Sequence, residues 1–335
     1  MTLPVDPAAV AGWVLADRLR VPVTASYRLD LTVAVLRRTA ANLVDVWTDD
    51  GKYLRATVTP RGPQVRAITQ ARDAQELEMA VYVPAPGAAG RPSPPALGLE
   101  PRLTLGTSVD LAGFYAAARG LPLLWPLVES ARGVRPPRYA SLWEAICNSV
   151  LFQQVSLEAA IAVMGRMVAH FGKVVRFGPS TLHSFPEPAA IRNADPMTLR
   201  GFGLSTSKAR TLRDAADAII AGRLTDEEIA GLSTAAASAR LTREWGIGQW
   251  TASVILLRGF GRLDVFPLGD SGARRGLRNL LGEIREGADP DATEMLNALG
   301  PWRGMLYYHL LLQRLQRRGE VDLATPSPKG RAPSE

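Results

Sequence analysis

A chain of 335 residues, 47% of them hydrophobic, is long enough for about two domains with buried cores. Its formal charge of +7 favours a polyanionic partner. A single cysteine, Cys147, excludes an internal disulfide and any metal site or iron–sulfur cluster held by several thiolates. The three histidines are scattered without metal-ligand spacing, and the sequence contains no signal peptide and no apolar run that would span a bilayer.

The first part of the chain has the pattern of an antiparallel sheet. Four segments are strand candidates, because apolar and polar residues alternate at least partly in them. These segments are 27–35, 43–48, 53–58 and 64–68. The Asp-Asp-Gly-Lys turn before residue 53 predicts a hairpin. Residues 83–101, rich in proline, glycine and alanine, are interpreted as a mobile loop. We therefore predict an α+β module over 1–112, without a chemical motif of its own.

From about residue 108 onwards the pattern is helical. Ser141 and Glu144 have the spacing of a capping box, which predicts a helix to about residue 154. Ser156 begins a second predicted helix, which ends near Gly172. Further helices are predicted after Ser205, after Thr225 and at Gly300-Pro301-Trp302-Arg303. We predict an all-α domain over 113–320, followed by a disordered tail over 321–335.

The stretch 241–277 contains the features that point to chemistry. Gly246 and Gly248 flank Ile247 in a turn that leads into a helix, whose free N–H groups form an anion site suited to a DNA phosphate. A plain connector between packed helices has the same pattern. Asp270 precedes an arginine-rich helix. It can act there as an N-cap, as a catalytic carboxylate, or as both, since a helix N-terminus keeps a carboxylate ionised.

The order of these features resembles the helix–hairpin–helix DNA glycosylase superfamily. In that family a hairpin of pattern L-x-x-x-x-G-I-G-x-W-T-A is followed by a catalytic aspartate. The matching residues here are Leu241, Gly246, Ile247, Gly248, Trp250, Thr251, Ala252 and Asp270. The resemblance covers about 140–317 and is strongest to the 3-methyladenine DNA glycosylase II (AlkA-type) branch. That branch also carries an N-terminal α/β module.

The resemblance implies an α+β fold, with an N-terminal antiparallel-sheet module before an all-α helix–hairpin–helix glycosylase domain. It implies a monofunctional repair enzyme that flips out alkylated, cationic purines such as 3-methyladenine or 7-methylguanine and hydrolyses the N-glycosidic bond. Asp270 would be the catalytic residue. Trp250 and Trp302 would line the base pocket, although a tryptophan in so apolar a helix as that of Trp302 is more often core. Trp250 stands where strand-cleaving relatives carry a lysine nucleophile, so a Schiff base is not expected.

The resemblance also implies which residues contact DNA. The segment 152–156 is similar to a Gly-Gln-Gln-aliphatic-Ser junction that enters the minor groove, with Phe152 in place of the glycine. Gln154 would fill the gap left by the flipped base, and a plain helix–helix corner is the alternative. Lys208 lies in a Lys-Ala-Arg element that could touch phosphate or form a solvated basic face. The predicted contacts are Gln153, Gln154, Ser156, Lys208, Gly246, Ile247, Gly248, Thr251 and Arg274.

The same resemblance implies one cation site, and this chain departs from the family's pattern at two positions. The main-chain carbonyls of Thr242, Glu244 and Gly246 correspond to positions where the family holds a monovalent cation, sodium or potassium, between hairpin and phosphate. No other cofactor is expected. Val254 and Ser271 stand where the branch often has aromatic residues. These two departures leave the lesion preference open.

Two alternatives remain. One is a glycosylase for another lesion, such as uracil, hypoxanthine or an oxidised purine; the other is a non-catalytic binder of damaged DNA. Asp270 argues against the binder, because phosphate contact alone does not require this carboxylate. The expected partner is double-stranded DNA with damaged bases, bound by a monomer without membrane contact. The expected location is the cytoplasm, in association with the nucleoid.

Overall fold

The computed structural model describes residues 10–24, 26–71, 75–85, 101–281 and 290–323 of the chain. Most of the predicted mobile loop, 86–100, and most of the predicted tail, 324–335, lie outside these residues. Leu323, near the start of the predicted tail, is described and packs into a core cluster. Within the described ranges, no helix combines the length and the apolar character needed to cross a membrane.

The N-terminal module is built on a five-stranded antiparallel sheet with strand order β1-β5-β4-β3-β2. The strands are β1 (Trp13–Pro22), β2 (Asp45–Trp47), β3 (Tyr53–Thr59), β4 (Gly62–Gln70) and β5 (Glu76–Pro84). The predicted hairpin is confirmed as β2–β3, in which Trp47 pairs with Tyr53, and the last predicted strand is confirmed as β4. The sequence does not predict β1 and β5. β1 lies at the sheet edge, where half of its residues are exposed and the strand shows no clear apolar alternation.

The segment predicted as the first strand is instead a helix, α1 (Leu29–Arg37). Its buried residues are Leu29, Leu31, Thr32, Val33, Ala34, Val35 and Leu36. A helix that is buried on nearly every side carries apolar residues all around, and such a run cannot be told from a strand by periodicity. The helix ends at Arg38, whose backbone is left-handed with φ of 61°.

The rest of the described chain is mainly helical, so the predicted α+β class is confirmed. From 101 to 241 the helices are α2 (Pro101–Thr104), α3 (Ala112–Arg119), α4 (Trp125–Ser130), α5 (Leu142–Val150), α6 (Leu157–Phe171), α7 (Pro188–Arg192), α8 (Pro196–Gly201), α9 (Thr206–Ile220), α10 (Asp226–Gly231) and α11 (Thr234–Leu241). They are followed by α12 (Gln249–Phe260), α13 (Ser271–Leu281), α14 (Pro290–Ala298), a 3-10 turn (Gly300–Trp302) and α15 (Arg303–Arg317). A small hairpin, β6 (Val174–Phe177) and β7 (Ser180–His183), has no counterpart in the sequence prediction.

The predicted helix starts are confirmed by their capping bonds. Ser141, Ser156, Ser205 and Thr225 each accept a hydrogen bond from the backbone N–H three residues later. α5 ends at Val150, four residues before its predicted end, because the chain turns into the corner that leads to α6. That corner, residues 151–156, faces the candidate site.

A buried ion-pair network joins the sheet to the helical part. Arg55 on β3 donates to Asp45 Oδ1 at 2.7 Å and to Glu144 Oε2 on α5 at 2.5 Å. The Glu144 carboxylate, predicted to complete the capping box of Ser141, is thus directed to Arg55. One continuous core contains residues of both parts, such as Leu77 of β5 and Ile146 of α5. The domain boundary near residue 112 stays a prediction.

Candidate functional site

A cavity of about 60 Å³ lies where α1, the α5–α6 corner, α12, α13 and α15 meet. Its lining residues are Arg38, Asn148, Phe152, Val155, Leu157, Trp250, Val254, Asp270, Ser271, Gly272, Ala273, Tyr307, Leu310, Leu311 and Arg314. Asp270 and Trp250, both predicted site residues, are therefore brought together. Val254 and Ser271 also line the cavity, so the two departures from the family's aromatic pattern fall on its wall.

Asp270 is held as the N-cap of α13. Its Oδ1 accepts a hydrogen bond from the Ala273 N–H at 2.8 Å, and its main-chain oxygen accepts one from Arg274 N at 2.9 Å. This confirms the capping role and leaves the carboxylate on the cavity wall. Burial raises the pKa of Tyr307 on α15 to about 12, and the Asp270 charge adds to the rise. Tyr307 therefore remains a protonated phenol near Asp270.

Trp250 lies in the first turn of α12. Its ring is close to the loop before Asp270, since a Cβ added to Gly269 would lie 3.4 Å from the Trp250 Cδ1. The indole Nε1 is buried and has no hydrogen-bond partner among the described residues. A buried N–H without a partner is uncommon in folded proteins and points to an absent ligand or water. The ring and its free donor are thus both available to an occupant of the cavity.

Trp302 is not part of this cavity, which corrects the prediction that it lines the base pocket. It ends the 3-10 turn before α15 and packs at the edge of a different core cluster. A Cβ added to Gly113 on α3 would lie 2.8 Å from its Nε1. The turn directs the ring towards α3, and Tyr307, further along α15, reaches the cavity instead.

The corner between α5 and α6 forms the exposed rim of the cavity. Gln154, predicted to fill the gap in DNA, lies at its tip with φ of 51°, a conformation that is uncommon outside glycine. Val155 next to it is 43% exposed although it is aliphatic. Ser156 caps α6 and is exposed. The corner therefore projects a polar and an apolar side chain into solvent from a fixed backbone.

Three residues predicted to contact DNA have side chains that form hydrogen bonds within the protein. Gln153 Nε2 donates to Gly246 O at 2.9 Å and to Thr251 Oγ1 at 2.8 Å, which ties the corner to the hairpin. Lys208 Nζ donates to the carbonyls of Leu151 and Gln153 at 3.0 and 2.7 Å. Gln153, Lys208 and the buried Thr251 therefore hold the corner in place, and their contact with DNA stays a prediction.

The two glycines of the hairpin turn differ in environment. Gly246 has φ of 74°, and a Cβ there would lie 2.0 Å from Thr211 Oγ1. Gly248 caps α12 with extended backbone and is exposed, and a Cβ added to it would meet no atom within 4 Å, so a ligand can approach it closely. Ile247, 3% exposed, packs in the core, so its side chain anchors the hairpin and cannot reach DNA.

The predicted cation site involves the peptide oxygens of this turn. Glu244 O accepts from Ile247 N at 3.2 Å, and Gly246 O accepts from Gln153. A carbonyl oxygen has two lone pairs, so both atoms retain acceptor capacity. Together with the carbonyl of Thr242 they remain a predicted site for sodium or potassium. In the described part of the chain, no group of histidine, cysteine and acidic side chains could hold a metal ion.

Comparison with known proteins agrees with this geometry. The profile described as "HhH-GPD superfamily base excision DNA repair protein" matches residues 147–302. The DNA-3-methyladenine glycosylase of Bacillus subtilis is 28% identical over 194 residues, which is 58% of this chain and 63% of that protein. DNA-3-methyladenine glycosylase 1 of Schizosaccharomyces pombe is 32% identical over 189 residues, 55% of this chain and 78% of that protein.

A solved structure shares the fold over most of this chain. The 3-methyladenine DNA glycosylase of Archaeoglobus fulgidus aligns with a TM-score of 0.71 at 23% identity, over 88% of this chain and 98% of that one. The chain matches less than two thirds of the B. subtilis relative's length, so its activity, substrate and partner do not follow from that match alone. The matched profile, the fold and the relatives together show that the chain belongs to the HhH-GPD superfamily of base excision DNA repair proteins, within its AlkA-type branch.

Proposed function

We propose that this protein is a monofunctional DNA glycosylase that releases alkylated purines. The observation that carries the proposal is Asp270, a carboxylate fixed by a helix N-terminus on the wall of a cavity that also contains the Trp250 ring. A fixed negative charge there stabilises the positive charge that develops on the sugar as the glycosidic bond breaks. The departing base keeps the bonding electron pair, water oxygen bonds to C1′, and the water loses a proton to solvent.

Trp250 supports the choice of alkylated purines. A base methylated at a ring nitrogen carries a positive charge, and a cation over an indole face gains about 0.5–2 kcal/mol. The B. subtilis and S. pombe relatives are both named for 3-methyladenine. The cavity is bordered by Val155 and Arg314 as well as by Trp250 and Asp270.

We also propose double-stranded DNA as the partner, with Gln154 as the residue that replaces the flipped base. Gln154 projects from the exposed corner, and Gly248 presents an open helix N-terminus that suits a phosphate. Arg274, Arg275 and Arg278 are exposed on α13 next to Asp270. Binding should weaken with salt, with a slope of log affinity against log salt of about −0.9 per neutralised phosphate.

The absence of a lysine supports the monofunctional mechanism. Among the described residues that line the cavity none is a lysine, and Trp250 stands at the position where strand-cleaving relatives are expected to carry one. The described cavity wall near Asp270 therefore offers no lysine amine that could form a Schiff base with C1′. Water remains as the nucleophile.

The test is base release from a panel of duplexes that carry 7-methylguanine, 3-methyladenine, hypoxanthine, uracil or 8-oxoguanine. We expect free alkylated purine, strands that break only after alkali, and no covalent complex on borohydride treatment. Release of hypoxanthine, uracil or 8-oxoguanine without release of any alkylated purine would favour the glycosylase for another lesion. Tight lesion binding without release of any base would favour the non-catalytic binder.

A further inference from the structure

Arg38 reaches the cavity from the N-terminal module, and its environment is unusual. It ends α1 in a left-handed conformation with φ of 61°, which is uncommon for a side chain of this size. Only 5% of the residue is exposed. Its guanidinium carbon lies 4.1 Å from the centroid of the Phe152 ring, and it lines the same cavity as Asp270. Phe152 replaces the glycine of the family's corner motif, so the aromatic ring against which the Arg38 guanidinium packs is a feature of this chain.

The guanidinium is buried without its usual partners. Arg38 Nε and Nη1 have no hydrogen-bond acceptor among the described residues, and no described carboxylate forms an ion pair with it. Burial lowers the pKa of Arg38, and Asp270 is close enough to oppose this effect. An arginine nevertheless remains charged at neutral pH. Buried charged donors are normally satisfied, so those of Arg38 indicate a missing acceptor.

The fully buried side-chain groups on the cavity wall that lack a hydrogen-bond partner are all donors. These donors are Arg38 Nε and Nη1 and Trp250 Nε1, and within the described residues no lining side-chain oxygen is both buried and unpaired. An occupant that fits these groups must offer acceptors. A 6-oxopurine offers a carbonyl oxygen at position 6, whereas 3-methyladenine offers an amino group there, which cannot accept a hydrogen bond from a guanidinium.

We propose that Arg38 is a specificity residue that donates to the carbonyl oxygen of a flipped 6-oxopurine and so favours 7-methylguanine and hypoxanthine over 3-methyladenine. The inference rests on the proposed glycosylase function. Hypoxanthine is uncharged and leaves with the electron pair of the broken C1′–N9 bond as an anion whose charge extends to the position 6 oxygen. Arg38 stabilises that charge without losing its proton, water oxygen bonds to C1′, and the water's proton finally protonates the base.

The experiment compares single-turnover release of hypoxanthine, 7-methylguanine and 3-methyladenine by the wild-type protein and by Arg38→Met. Loss of a charge-assisted hydrogen bond should slow release of the two 6-oxopurines by about 10- to 100-fold. Release of 3-methyladenine should stay constant or rise. Arg37→Met is the matched control, since it removes a charge one residue away that does not line this cavity, and it should leave the ratios unchanged. Arg38→Lys keeps the charge and should give an intermediate ratio if Arg38→Met does not fold.

Binding of free bases provides a readout that does not depend on catalysis. Fluorescence of the wild-type protein should report tighter binding of free hypoxanthine than of free adenine, and Arg38→Met should abolish the difference. If Arg38→Met slows all three substrates equally, or the wild-type protein prefers adenine, Arg38 is a structural residue and the inference is wrong. If no base is released but the hypoxanthine preference is present and depends on Arg38, the glycosylase proposal fails and the base-reading role of Arg38 stands.

Discussion

Replacement of Gly246 by alanine should destabilise the hairpin, because this position excludes a side chain in two ways. Its backbone has φ of 74°, a left-handed conformation that costs other residues on the order of 1–2 kcal/mol. The new Cβ would also lie 2.0 Å from Thr211 Oγ1 on α9, and overpacking of this kind costs about 1–3 kcal/mol. The expected loss is about 2–5 kcal/mol, which lowers the melting temperature of a chain of this length by roughly 3–7 °C.

The neighbouring glycine is the matched control, measured in the same thermal and DNA-binding assays. Gly248→Ala introduces a methyl group into open space at an ordinary backbone conformation, so the melting temperature should stay constant. Its affinity for DNA should fall, since the methyl group lies where a phosphate would approach α12. Thr211→Ala should restore part of the stability lost in Gly246→Ala. An unchanged melting temperature for Gly246→Ala, or an equal loss in Gly248→Ala, would refute this explanation of the turn.

Glu144→Gln should lower the free energy of unfolding, measured by urea denaturation, by about 1.5–3 kcal/mol, because the buried Arg55 keeps Asp45 but loses its second carboxylate partner. An unchanged free energy of unfolding would show that the Arg55–Glu144 pair contributes nothing. Trp250→Ala should reduce the preference for lesion DNA over undamaged DNA, whereas Trp302→Ala should lower stability and leave that preference unchanged. The measurement is the dissociation constant of each variant for lesion DNA and for undamaged DNA. An equal loss of preference in both variants would show that Trp302 also contacts the lesion.

Local sequence signals predict where most helices begin, but they do not identify the buried helix α1 or the edge strand β1. The N-caps of α6 and α9 are evident from Ser156 and Ser205, because a capping bond involves only residues within one turn. α1 is ambiguous from sequence, since its apolar run fits a buried strand or a buried helix. β1 is set by pairing with β5, which lies far away in the chain, and no local pattern records that pairing.

The same distinction holds for the site. Asp270 and Trp250 are predictable because the order of the hairpin and the aspartate identifies them. Tyr307 and Arg314 are not predicted, although their spacing of seven places both on one face of α15. Arg38 cannot be identified from the sequence, because it lines the cavity only through the position at which α1 ends in the folded protein. Its role depends on a tertiary contact between the N-terminal module and the α5–α6 corner.

Single-turnover base release by Asp270→Asn is the most direct test of the proposed mechanism. Asparagine caps a helix nearly as well as aspartate, so the fold and the Ala273 bond should persist while the charge is lost. Release of 7-methylguanine should fall by about 100-fold or more, and lesion-DNA affinity should remain. Asp264→Asn, an exposed position in the same loop, should release base at the wild-type rate. An Asp270→Asn protein that releases base at nearly the wild-type rate would contradict the assignment of Asp270 as the catalytic carboxylate.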